Sequence, residues 1–226
     1  MHALYDEIAP ALREYVEQAV LPHYDAFDAA HRRDHALLVM SQSLKLVATL
    51  RQQGESVDAA MAWTIAAFHD TGMSEGRATH HLASGRIIRH DTELRRWFSE
   101  EQIEVMAQAA EDHRASALEP PRSIYGRIVA EADRHIDPET IVRRTIQYGL
   151  EHYPALSRDE HYHRTVEHLR EKYGPGGYLR LWFPHSPNAA RLQQLHQLMA
   201  DERAQHELFD RLFTQLTTAD HTRCRT

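Results

Sequence analysis

Apolar positions recur at three- and four-residue spacings along most of this chain, the period of amphipathic helices rather than of strands. Leu12, Val16, Ala19 and Val20 predict a first helix that stops near Pro22. A second is predicted from about His31 to Gln53, where Leu37, Met40, Leu44 and Val47 form one stripe. Val39, Leu46 and Leu50 widen that stripe, and Gly54 ends the helix. Apolar coverage so broad predicts a central helix rather than a surface one. Further helices are expected over Val57 to about His69, Thr79 to His90 and Ser99 to Arg114.

The pair Pro120-Pro121 breaks the pattern, and a sixth helix is expected from near Ser123 through Arg134. Asp137-Pro138-Glu139 reads as an N-cap followed by proline at the first helical position, starting a seventh. An eighth spans about Arg158 to Lys172. Gly174 to Gly177 form a loop, and Tyr178 to Phe183 read as a short extended segment packed over the core. Ser186-Pro187 open a long last helix to about Leu216. No strand-period alternation, internal repeat or Gly/Pro/Ser-rich linker interrupts the series. The expectation is an all-α, single-domain helical bundle over 1–226, with a core at 25–135 and a helical extension at 138–226 packed on it.

Composition narrows the partners. The chain has 226 residues, a hydrophobic fraction of 42% and a charged fraction of 26%, ordinary for a folded domain. A net charge of −7 argues against a nucleic-acid polymer as partner. Cys224 stands alone, so neither an internal disulfide nor a thiolate metal site can form. Met1 to Glu7 lack a basic region followed by an apolar stretch, and no apolar run reaches the length of a membrane span. The reading is a cytoplasmic protein with no membrane partner; a homo-oligomer stays open. Of the 18 histidines, His152, His161, His163, His168, His196 and His206 lie among polar residues and read as surface.

The chemistry concentrates elsewhere. His69-Asp70 closes the run Ala59 to Phe68, which is almost wholly apolar. A carboxylate in such a run is costly to bury unless paired, and a divalent cation is a natural partner. His35 lies in the first turns of the second helix. His113 continues the inward line Ile103, Met106, Ala110. Asp133 ends the apolar run Ile128 to Ala132, interrupted by Glu131. Four helices thus each deliver an inward imidazole or carboxylate, the arrangement of a metal site built between facing helices. Without sulfur, such ligands suit Mn, Fe, Co, Ni or Zn. Several structural readings compete. His31 is an alternative to His35. Asp70 reads also as a cap, and Asp133 as an ion-pair partner of Arg127 or Arg134. His113 reads also as a contact to a substrate oxygen.

The ordered set His35, His69-Asp70 and Asp133, with its helical surroundings, resembles the HD-domain superfamily of metal-dependent phosphohydrolases over roughly residues 25–135. The resemblance implies that these four residues hold one divalent ion. It implies two extra histidines for a second ion. His113 fits one of these places. His80 is preferred over His81 for the other, because small Ser84 and the pair Ile87-Ile88 follow it in the family's pattern. Asp70 would be the bridging carboxylate, and Asp70, Arg127 and His113 the catalytic set, with Arg127 on the phosphate. Arg77, Arg114 and Arg134 are further candidates for contact with substrate. The implied activity is hydrolysis of a small phosphorylated substrate, a nucleotide foremost, by water activated on one or two ions. Tyr173, Tyr178 and Trp182 could wall a pocket or simply pack. Two alternatives remain: a di-iron oxygenase of the same fold, and a non-catalytic binding module.

Overall fold

The computed structural model describes residues 2–27, 32–117 and 119–223. His31 and Cys224 lie outside the described residues. Every regular element among the described residues is helical. The chain divides into two compact units, Met1–Arg134 and His135–Thr226.

In the first unit, α1 (His2–Asp6) and α2 (Pro10–Tyr15) precede a π-helical turn over Val16–Val20 and a 3-10 turn over Leu21–Ala26. The wider π turn keeps Val16 and Val20 buried together but rotates Ala19 outward, so Ala19 is not part of the predicted stripe. Next come α3 (Arg33–Gln52), α4 (Ala59–Phe68), α5 (His80–His90), α6 (Glu100–Glu111) and α7 (Ile124–Asp133). Helix α3 packs against both α4 and α7, and α6 against α4, α5 and α7.

Helix α4 is the innermost element. Nine of its ten residues are buried, because almost every side chain from Ala59 to Phe68 is apolar. A helix apolar on all sides is stable only when wrapped by others. It starts at Ala59, two residues later than the expected Val57: Asp58 caps it, accepting from the backbone N–H of Ala60 at 2.8 Å and Met61 at 3.2 Å. Such a cap contributes about 1 kcal/mol. On α3 the predicted stripe is buried except for Leu37, which is 47% exposed.

Helix α6 stops at Glu111, so His113 lies just beyond the helix rather than on it. Arg134 likewise follows the end of α7.

The second unit contains α8 (Pro138–His152), α9 (Arg158–Tyr173), α10 (Pro187–Ala200) and α11 (Glu202–Arg223). Its core gathers Ile136, Ile141, Val142, Ile146, Leu169, Leu195, Phe209 and Leu212, with Tyr173, Leu179 and Leu181 packed against it. The long last helix expected from sequence is two helices. Asp201 turns extended between them and its carboxylate accepts from Ala204 N–H at 3.0 Å, starting α11. No helix among the described residues is long and apolar enough to cross a membrane.

Candidate metal centre

The C-terminal end of α4 is shaped by local bonds before any ligand is considered. Tyr24, fully buried, donates its hydroxyl to Ala67 C=O at 2.8 Å and accepts Asp70 N–H at 3.2 Å. Thr71 Oγ1 donates to Phe68 C=O at 2.8 Å. These bonds hold the turn in which His69 and Asp70 leave the helix. Gly72 follows because α5 passes directly over it. A Cβ there would lie 2.2 Å from His80 C=O and 2.6 Å from Ala83 Cβ. In the space so kept, Gly72 N–H donates to Ser84 Oγ at 3.0 Å.

Asp70 is the hub. Its Oδ2 lies 3.2 Å from His69 Nε2 and 3.6 Å from His35 Nε2. Its Oδ1 faces the other way, 3.2 Å from His80 Nε2 and 3.4 Å from His113 Nε2. Asp133 Oδ1 closes the first side at 3.1 Å from His35 Nε2 and 3.8 Å from His69 Nε2. Two ligand groups result, His35 with His69 and Asp70, and Asp70 with His80 and His113, each able to hold a metal ion.

The imidazoles are oriented by their far nitrogens. Nδ1 of His69, His80 and His113 lies 2.7, 2.8 and 2.6 Å from the carbonyl three residues back: Ala66, Arg77 and Ala110. A carbonyl only accepts, so each Nδ1 carries a hydrogen, and in the neutral ring each Nε2 turns a lone pair into the site. His80 and His113 then oppose two lone pairs across 3.1 Å, and His69 meets His35 Nε2 at 3.3 Å. Neutral imidazoles repel in that geometry; a cation between them removes the conflict. Metal–nitrogen and metal–oxygen bonds of about 2.0–2.2 Å put neighbouring ligand atoms roughly 2.8–3.6 Å apart in tetrahedral or octahedral sites. Most of the separations found here fall in that range, so the residues fit a metal centre.

Electrostatics agree. Burial opposes charge on His35, but Asp133 and Asp70 outweigh it and push its pKa up to about 10. His69 is buried too, and Asp70 raises it. Burial works against ionising Asp70, yet the surrounding histidines hold it well below the usual carboxylate range. Asp133 is lowered in the same way, chiefly by His35. Without an ion the cluster retains protons where a metal would supply charge.

Access is one-sided. Side chains of Asp133 and His35 are 26% and 18% exposed, whereas those of Asp70 and His113 are 4% and 3% exposed. His35 and Asp133 therefore face solvent, and the other ligands lie beneath them.

The remaining sequence candidates fall around this cluster rather than in it. His81 is outside both ligand groups; burial and neighbouring Arg114 push it down to about 4. Arg127 is exposed on α7, six residues before Asp133. Arg77 is also exposed, and its carbonyl orients His80. Arg114 Nη1 donates to Ala78 C=O at 2.9 Å. Arg134 is buried and turned back to donate to Ala130 C=O. Tyr173 belongs to the core of the second unit.

Tyr24 escaped the sequence reading. It sits 45 residues before His69 within an unremarkable segment, and only the fold brings its hydroxyl under the turn.

An all-helical unit whose facing helices converge imidazoles and carboxylates defines a metal-site bundle. The family model for the HD domain matches residues 32–136. That match supports a place for residues 32–136 of this chain in the HD-domain superfamily. Comparison with curated proteins and with solved structures gives no significant match.

Proposed function

We propose that this protein hydrolyses a small phosphorylated substrate, nucleotides being the first class to test, at a centre holding two divalent transition-metal ions. The observation that carries the reading is the division of Asp70: Oδ2 faces His35 and His69, Oδ1 faces His80 and His113. A carboxylate so placed is suited to bridging. Bound divalent ions supply Lewis acidity toward a phosphoryl oxygen and a lowered pKa for water.

The chain's own residues do the rest. Backbone carbonyls fix the ligand tautomers, so no proton must be lost from Nδ1 for the site to load. The partly open side at His35 and Asp133 admits substrate. Arg127, exposed on the helix that ends in Asp133, is the cation proposed for the phosphate. No side-chain nucleophile is required.

The test is metal analysis of purified protein, then a phosphate-release screen over nucleotides and sugar phosphates with Mn, Co or Ni. Asp70→Ala is expected to lose bound metal and phosphate release together. Retained metal in Asp70→Ala, or no release from any substrate, overturns the reading. Oxygen uptake by anaerobically prepared Fe(II) protein would replace it with an oxygenase.

A further inference from the structure

We propose that a cavity on the other side of α3 from His35 binds a single-chain amphiphile with an anionic head, of the fatty-acid class. The cavity is about 530 Å³, within the range of sites for small molecules. Helix α3 lines it with Arg33, Leu37, Met40, Ser41 and Leu44, one face of the helix at spacings of three, four and one. His35 is two residues from both Arg33 and Leu37, about 200° round the helix. Cavity and metal centre therefore use opposite faces of one element.

The walls choose the tail. Val16, Leu21 and Trp63 complete the lining with the apolar side chains of α3. Leu37 and Tyr5 are left 47% and 39% exposed there, apolar surface that a soluble domain ordinarily covers. Ser41 already has a partner, so a nucleobase or sugar seated on these apolar walls would leave polar edges unpaired, which is unfavourable. An aliphatic chain has no such edges.

The rim chooses the head. Arg13 lies over the Tyr5 ring at 4.6 Å and makes no ion pair among the described residues. Arg33 donates to Glu17 C=O at 3.3 Å and meets Asp25 only across 3.9 Å. Glu17 also lines the cavity and Asp25 faces Arg33, so Arg13 is the rim guanidinium with no ion pair among the described residues and the one placed to take an anionic head. A carboxylate head on an aliphatic tail matches both parts.

The experiment is calorimetric titration of the metal-loaded full chain with decanoate, decanol and AMP, each below any micelle concentration. Decanoate is expected to bind once per chain and decanol at least tenfold more weakly. Leu37→Glu, which places a repelling charge at an already exposed position, is expected to abolish decanoate binding with metal content and helicity unchanged. The double variant Arg13→Ala, Arg33→Ala is expected to weaken decanoate at least tenfold. Four results overturn the proposal: no saturable binding of decanoate; decanol binding as tightly as decanoate; AMP competing with decanoate and losing affinity in Leu37→Glu; or a dimer that Leu37→Glu converts to monomer, which would make a second copy the occupant. Phosphate release plays no part in these readouts, so failure here and failure of the hydrolase reading are separable.

Discussion

The Tyr24 hydroxyl accepts the backbone N–H of Asp70 at 3.2 Å while donating to Ala67 C=O at 2.8 Å. One buried phenol thus satisfies two backbone groups where α4 ends, and it determines where the Asp70 carboxylate can point. Tyr24→Phe removes both bonds and leaves buried polar groups without partners. It is expected to cost about 1–3 kcal/mol in urea denaturation of the metal-free protein. Metal affinity should fall in parallel. An unchanged midpoint and affinity would show that the hydroxyl has no positioning role.

Gly72 is the contact point between the turn after Asp70 and α5. The atoms that a Cβ would meet include backbone at His80 and Ser84, which cannot swing aside. Gly72→Ala is expected to displace the start of α5, with about 1–3 kcal/mol of destabilisation from overpacking. The loss should be felt first in the metal held on the His80 side. Metal content by elemental analysis, compared with denaturation midpoints, checks both effects.

The two ligand groups share Asp70 but differ in their histidines. His80→Ala is expected to halve the metal content of fully loaded protein, leaving the group of His35, His69 and Asp70 with Asp133 beside it. A variant that still holds two equivalents would sink the assignment of His80.

Acid–base behaviour should report on the unloaded site. His35 is raised from about 6.5 to about 10 by Asp133 and Asp70, against its burial. A histidine raised on folding stabilises fully below its unfolded pKa, and that contribution is lost as pH rises through the folded value. The chelator-treated protein should therefore lose thermal stability between about pH 6.5 and 10. Asp70 and Asp133 are lowered by the histidines despite burial, so their contribution disappears as pH falls below the usual carboxylate range. Metal competes with the same protons, so affinity should rise across the alkaline window, with proton release measurable by titration in buffers of different ionisation enthalpy.

Arg127 is exposed and lies on the helix that ends in Asp133. Arg127→Ala is expected to change stability by less than about 0.5 kcal/mol. If it holds the phosphate, kcat/KM should fall at least tenfold with metal content intact. Equal kcat/KM in the two proteins would return Arg127 to the solvated surface.

Much of the fold was legible because helices announce themselves locally. The apolar stretch of α4 can be stable only if wrapped, and Ser99, Ser123, Asp137, Ser157 and Ser186 mark starts by bonding to backbone a few residues on. Where the reading erred, the deciding force was not local. Ala19 turns outward because a π turn changes the phase of the stripe. His113 leaves its helix because α6 stops at Glu111. Leu37 is periodic with the core of α3 yet faces an open cavity.

The sequence by itself determined the helical class, the order of most helices and the residue types available to a metal, since side-chain periodicity and donor chemistry are written in the chain. Only the tertiary structure decided which carboxylate oxygen faces which histidines, that His80 rather than His81 meets His113, that Arg134 turns back on Ala130 C=O, and that Tyr24 supports Asp70. Each depends on distances between segments 30 or more residues apart or on where a helix happens to end. Those are set by how the helices pack, and packing is a property of the whole first unit rather than of any stretch within it.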